Sequence, residues 1–278
     1  MAISTLDGIV NALGNNSSRI VLDKASIASQ GAGTFVSLWR ATGQPGQGAI
    51  PAAAANCNNA TVGGIGFAQQ VSPATSYGAY LEFAASNAAM TLELHDRLRH
   101  MGGLSGILAT AQTVGIDLDG VTADNMVERI GDSNYSDIQW WLEWYTATGS
   151  TVVTATIAVT YNDGTTGNLT ALSLAATRPA SFMASLNGLI PAAAAGKYIR
   201  AVNSVTLSAT SGTAGSFGVT ATRPRMTIGA PIANFKFVAD WAALGLPEIF
   251  NSSCLFPVVL TSTTSSGTVR GGGKIAHG

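Results

Sequence analysis

The strongest pattern in the chain is the alternation of apolar and polar positions from Asp137 to Tyr161, DIQWWLEWYTATGSTVVTATIAVTY. Ile138, Trp140, Leu142 and Trp144 fall on one side of an extended backbone, and Gln139, Trp141, Glu143 and Tyr145 fall on the other. After ATGS the same period sets Val153, Ala155, Ile157, Val159 and Tyr161 opposite Val152, Thr154, Thr156, Ala158 and Thr160. Successive strand side chains point to opposite faces, so this period of two predicts two strands, each with one buried face. The short link containing Gly149 predicts that they pair as a hairpin. Three of the chain's five tryptophans lie here. Burying each large side chain is worth about 1.5–3 kcal/mol, which makes this stretch the expected centre of a core.

The same reading extends along the chain. Alternation begins near Ser76 and Tyr80 and continues with Met90, Leu92, Leu94 and Leu98 facing away from Thr91, Glu93, His95, Arg97 and Arg99. ILATAQTVGIDLDG predicts a strand ending in a turn, and Asn162-Asp163-Gly164 is a strong turn signal before a short strand near Leu169–Leu174. KYIRAVNSVTLSAT reads as a strand pair or a bulged strand, and FGVTATRPRM as a closing strand. About eight short strands separated by turns make the pattern of a sandwich or barrel. Outside this region the period is lost. STLDGIVNAL predicts a short helix capped by Ser4 or Thr5. The remainder of residues 1–75 reads as an arm that takes its shape from what it lies on. Beyond Met226, NFKFVADWAALGLPEIF holds a short helix-like run, and TSTTSSGTVRGGGKIAHG has the composition of a flexible tail. The expected organisation is an arm over 1–75, a β-sandwich over 76–226 and an extension over 227–278, without an internal repeat.

Charge changes the picture. Only 10% of the residues are charged, against about 25% in ordinary soluble domains. The net charge of −1 offers no electrostatic footprint for nucleic acid or an anionic membrane, so neither is an expected partner. A surface made of Ala, Ser, Thr, Gly and Asn suits a protein packed against other chains. MAISTLDGIV has no basic, apolar leader, and no apolar run approaches the roughly 18 residues of a membrane span. The expectation is a chain made and kept in the cytosol. Cys57 and Cys254, far apart and outside any CxxC, are expected to be buried thiols.

Candidate chemistry is sparse. LELHDRLRH (Leu92–His100) gathers two of the three histidines, but His95 and His100 differ by an odd number and face opposite ways on a strand. Asp117-Leu118-Asp119-Gly120 opens like a calcium loop with Glu128 in register. Val121 and Thr122 stand where an oxygen ligand and a glycine are needed, so a turn capped by acids is expected. Ser105 lies in a near miss to a nucleophile elbow, with Ile107 in place of the final glycine, and no spacing ties it to His95, His100 and Asp117. GGGK at Gly271–Lys274 is not a phosphate loop. No catalytic residue, cofactor or metal is expected. A pair of facing carboxylates for glycan hydrolysis stays open, because that chemistry is defined by separation in space.

SLWRATGQPGQG (Ser37–Gly48), LELHDRLRHMGGLSG (Leu92–Gly106) and RAVNSVTLSATSGTAGSFGVTATRP (Arg200–Pro224) together resemble virion structural proteins of tailed bacteriophages, those with a jelly-roll-like β-sandwich. The resemblance spans roughly Ser37 to Arg225 and transfers no functional residue. It implies a mainly β, antiparallel, jelly-roll-like sandwich with an N-terminal arm and a C-terminal extension. It also implies a non-enzymatic virion component, made in the host bacterial cytoplasm. The expected role is a capsid decoration (cement) protein, a homotrimer on capsid three-fold positions whose partners are the major capsid protein or other virion proteins. On that reading Phe35, Trp39, Phe235, Phe237 and Trp241 are the anchors by which the arms hold neighbours. Trp141 and Tyr145 mark either a subunit contact or a face covered by a second sheet. A tail- or fibre-associated host-binding module and a glycan-cleaving virion enzyme are the alternatives.

Overall fold

The computed structural model describes residues 3–174 and 177–278. Helix α1 spans Leu6–Asn15, and strands β1 to β4 span Ser17–Lys24, Phe35–Ser37, Gly43–Gln44 and Ala55–Asn56. Strands β5 (Ser76–Ala85), β6 (Met90–Leu104) and β7 (Gln112–Asp117) precede helix α2 (Met126–Ile130). Then come β8 (Gln139–Thr146), β9 (Val153–Tyr161), β10 (Thr166–Asn168), β11 (Leu172–Leu174) and β12 (Phe182–Ser185). Strand β13 (Ile199–Leu207) leads to β14 (Ser216–Ala230), β15 (Phe237–Ala239), helix α3 (Trp241–Leu244), β16 (Leu255–Leu260) and β17 (Val269–His277). The protein is mainly β with antiparallel sheets. No described helix is long and apolar enough to cross a membrane. The chain forms two units, one from residues 1–49, 57–96 and 224–278, the other from 50–56 and 97–223.

In the first unit a five-stranded sheet runs in the order β15-β5-β17-β1-β3. The chain's first long strand and its last lie side by side, with Ser17 opposite Ala276 and Lys24 opposite Val269. Strand β17 also pairs with β5 along its whole length. This corrects the expectation of a flexible tail: RGGGKIAH is a central strand. The glycines are there because backbones approach closely. A Cβ on Gly271 would strike the Glu82 carbonyl oxygen, and one on Gly273 that of Tyr80. Ile20 and Leu22 of β1, Leu81 and Phe83 of β5, and Val269 and Ile275 of β17 enter one core. They meet Val36 of β2, Leu92 and Leu94 of β6, Met226 and Ile228 of β14, and Leu255 and Val259 of β16 there. Helix α1 forms as predicted, with the Thr5 hydroxyl accepting from the Gly8 N–H at 3.0 Å. It buries Ile9 and Ala12, one turn apart, against Ala79 and Ala276. Residues expected to be an arm and an extension therefore build this unit, because their apolar positions bury against one another.

In the second unit one sheet has the order β10-β9-β13-β7, with β11 also on β9. Strand β8 pairs instead with β12 and β14. The predicted hairpin is thus not made, although both strands are. The link after Thr146 carries the chain from one sheet to the other. Trp140, Leu142 and Trp144 then face Val153, Ala155, Ile157 and Val159 within a single core. An alternating pattern fixes which face is buried, and leaves the hydrogen-bonding partner open. Gly164 makes the expected turn with φ of 82°, its N–H donating to the Tyr161 carbonyl at 3.0 Å. Strand β13 is the bulged strand that KYIRAVNSVTLSAT allowed, with its register shifting between Val202 and Ser204 against both neighbours.

Candidate functional site

The charged groups singled out in the sequence are drawn into buried structural pairs. In the second unit Arg97 and Glu143 face each other, both buried, with Nη2 donating to Oε2 at 2.6 Å and Nη1 to Oε1 at 3.3 Å. Arg97 Nη2 also donates to the Tyr145 hydroxyl at 3.0 Å and to Thr220 Oγ1 at 3.1 Å. The Thr220 hydroxyl donates to Glu143 Oε2 at 2.6 Å, and the Tyr145 hydroxyl to the same oxygen at 3.2 Å. His100 Nδ1 accepts from Arg97 Nε at 3.0 Å. Burial, and then the Glu143 carboxylate, push the Tyr145 phenol far above its ordinary range. Arg129, also buried, donates to the Arg97 carbonyl at 3.0 Å. Five side chains saturate one another here, and none of them faces water. This arrangement locks strands together and leaves no open position for a reactant.

The remaining candidates resolve in the same way. His95 Nε2 lies 2.6 Å from Glu93 Oε2, and Asp96 accepts from the Ser253 hydroxyl and the Cys254 N–H, each at 2.8 Å. The three neighbouring residues thus serve a different set of contacts from His100. Asp117 and Asp119 each lie 3.2 Å from the Arg200 guanidinium, so the cation beside this acidic turn is a side chain. The Asp119 N–H donates to Asp117 Oδ1 at 2.9 Å, which is the acid-capped turn the sequence predicted. Ser105 is pinned to Gln112 through its backbone, at 2.7 Å and 3.0 Å, away from both histidines. Among the described residues no group of three or more His, Cys, Asp or Glu side chains is placed to hold a metal ion. Cys57 and Cys254 are buried and unbridged. His277 sits between Ser18 Oγ, 2.8 Å from Nε2, and Ser76 Oγ, 2.9 Å from Nδ1. Its burial lowers its pKa.

The expected interface residues separate into two groups. Of the two readings open for Trp141 and Tyr145, a subunit contact or a covered face, their burial inside the second unit favours the covered face. Trp141 Nε1 donates to Thr222 Oγ1 at 2.9 Å, and a Cβ on Gly102 would meet the Tyr145 ring. The face opposite Trp140 is covered by the chain's own backbone. Trp39, expected to hold a neighbour, is also buried. Its ring packs edge-on to Phe256 at 5.9 Å, Nε1 donates to the Ala49 carbonyl at 2.8 Å, and Gly48 and Gly63 close on it. Phe35 and Phe237 are half-buried, and Trp241 packs partly buried beside α1.

Phe235 alone of the seven is exposed, at 57%. It lies 5.3 Å from the Phe237 ring beside β15, the edge strand of the five-stranded sheet. Ile232 and Val238 are also exposed, at 58% and 52%. Neither was singled out from the sequence. The signal for Val238 was its odd-number offset from Phe237 in a strand, which sends the two to opposite faces.

No protein-family description matches the chain, and no curated protein matches it. Among solved structures, the VP2 protein of infectious bursal disease virus in T=1 particles is 9% identical, over 94% of this chain and 76% of that one, with a TM-score of 0.16. A VP2 subviral particle of the same virus is 11% identical, over 94% of this chain and 79% of that one, also at 0.16.

Proposed function

We propose that this chain is a non-enzymatic structural component of a phage virion, a capsid decoration or cement protein that works through subunit contacts. It is made in the bacterial cytoplasm, assembles as a homotrimer, and binds the major capsid protein or another virion protein. Each core is a two-layer, jelly-roll-like sandwich on this reading. The observation that supports it is the exposure of Ile232, Phe235 and Val238, in and just before the edge strand β15. In a chain with so little charge, exposed aromatic and branched side chains beside an open sheet edge suit burial against another protein. Specific interfaces bury about 1,200–2,000 Å² in total, and aromatic anchors at their centres carry much of the energy.

The test combines sedimentation of the purified protein with negative-stain imaging of particles mixed with it. A trimer that binds particles, and a Phe235→Ser/Val238→Ser protein that stays folded but no longer binds, is the expected result. A monomer that never associates with particles overturns the proposal. Turnover of cell-wall or capsular glycan would replace it with the enzymatic reading. A tail- or fibre-associated binding module is the second reading. Ile107, Leu108 and Val152, exposed on neighbouring loops of the second unit, favour it.

A further inference from the structure

The geometry points to β1 as the acceptor edge for an extended strand of a partner polypeptide, which would dock in the groove between β1 and the Asn59–Gly66 loop. Strand β1 pairs with β17 on one side over its whole length. On its other side, among the described residues, β3 covers Asp23 and Lys24 alone. Alternate peptide groups from Arg19 to Leu22 therefore lack a strand partner on that side, while at Ser18 the Ala68 N–H closes on the hydroxyl at 2.9 Å. The space beside them is a groove of about 490 Å³, walled by Arg19, Ile20 and Val21, by Gln44–Gly46, and by residues 59–66. Four residues of open edge are about 13 Å long, enough for a short strand.

Both far walls are braced. The Lys24 ammonium is buried under the groove and donates to the carbonyls of Ala41 at 3.1 Å, Pro45 at 2.6 Å and Gly46 at 3.4 Å. Across from it, the Thr61 N–H donates to the Asn58 carbonyl at 2.9 Å and the Gly64 N–H to the Thr61 carbonyl at 3.0 Å. Gly63, at φ of 103°, is wedged against Gly48 and the Trp39 ring. The slot is thus held open by packing, so a docking strand has little to reorganise.

The lining also specifies the occupant. Arg19 is its one ionisable group, and Arg19 and Val21 share the exposed face of β1. On the other side of the slot, Gly63, Gly64 and Gly66 present no side chains. An antiparallel segment fits when it sets a branched residue against Val21 and a carboxylate against Arg19, with small residues between them. This inference is independent of the virion reading.

The test uses an acetylated, amidated peptide, TAVAEAT, added at about 1 mM to the full chain, with hydrogen exchange read at the amides of residues 19–22. The expected result is exchange slowed by about tenfold or more at alternate amides of β1. Two further peptides carry N-methyl groups on the two complementary sets of alternate amides. Strand addition requires one set to abolish the protection and the other to keep it. Arg19→Glu, an exposed substitution, is expected to weaken TAVAEAT and favour TAVAKAT. Equal behaviour of the two methylated peptides overturns the proposal, as does no protection by TAVAEAT. Protection that appears without peptide and grows with protein concentration also overturns it, by assigning the edge to a second copy.

Discussion

The buried pair Arg97–Glu143 gives the sharpest test of the second unit. Replacing Glu143 with Leu removes the carboxylate that Arg97 faces, at a site where both partners are fully buried. Breaking one side of a buried pair costs about 3–5 kcal/mol. At about 3 °C per kcal/mol for a unit of this size, the midpoint should fall by about 9–15 °C. Arg97→Met strands the carboxylate instead and should cost a similar amount. The double replacement removes both charges. A buried ion pair exchanged for apolar side chains is often neutral in net effect. Here recovery should stop short of that, because Tyr145 and Thr220 both donate to Glu143 Oε2. His100 Nδ1 also loses the Arg97 Nε donor; each lost buried partner costs about 1 kcal/mol, so the double variant should lie about 3 kcal/mol below the parent. Urea melts followed by tryptophan fluorescence read this directly, since Trp140, Trp141 and Trp144 flank the pair on β8. A loss of less than about 1 kcal/mol in either single variant, or two losses that simply add, would refute the pairing.

Other expectations follow from the same coordinates. Burial depresses the pKa of His277, so between the folded and unfolded values the unfolded chain binds more protons. Stability should be intact above the unfolded value of about 6.5 and decline as pH falls below it. His277→Gln should flatten that slope in pH-dependent melts; an unchanged slope would remove His277 as its cause. Burial also pulls Lys24 down to about 8. The energetic penalty of burying its charge is therefore present below pH 8 and is relieved as pH rises towards 10.5. Lys24→Met strands three carbonyls and should cost about 1–3 kcal/mol, with faster amide exchange across residues 41–46. Gly271→Ala places a methyl against the Glu82 carbonyl. It should destabilise the first unit by about 1–3 kcal/mol in denaturant melts, and a neutral result would show that β17 does not sit where it is described.

Local signals in the sequence were reliable where the physics is local. The Thr5 cap, the Asn162-Asp163-Gly164 turn and the alternation of β8 and β9 each depend on residues within a few positions of one another, and each is present. The pairing of those strands is not local. Strand β9 takes β13, with Ile157 opposite Val205, and β8 takes β14, with Leu142 opposite Val219. Nothing in a period of two distinguishes those partners from a hairpin. The glycines near residue 272 misled for a related reason. Read alone they mean freedom, whereas between two strands they mean that no side chain fits. Five of the seven expected interface residues are large aromatics in weakly patterned stretches. Trp39 shows the flaw: glycines at 48 and 63, distant in sequence from each other, form its pocket inside the chain.

Charge scarcity acquires a stricter meaning once burial is known. Lys24, Arg97 and Arg129 are fully buried, so the surface is poorer in charge than the 10% of the sequence implies. Much of what remains is neutralised in pairs: Lys236 with Glu82, Arg270 with Asp23, Lys197 with Asp163, and Arg223 with Asp137. Exposed pairs of this kind add little stability, about 0–1 kcal/mol each. They do leave a surface with almost no long-range field, and such a surface neither steers nor repels a partner. On the proposed readings, association would depend on short-range complementarity, through apolar side chains such as Phe235 and through the backbone edge of β1. Salt should hardly alter binding through Phe235, whereas it should weaken the Arg19 contribution at β1.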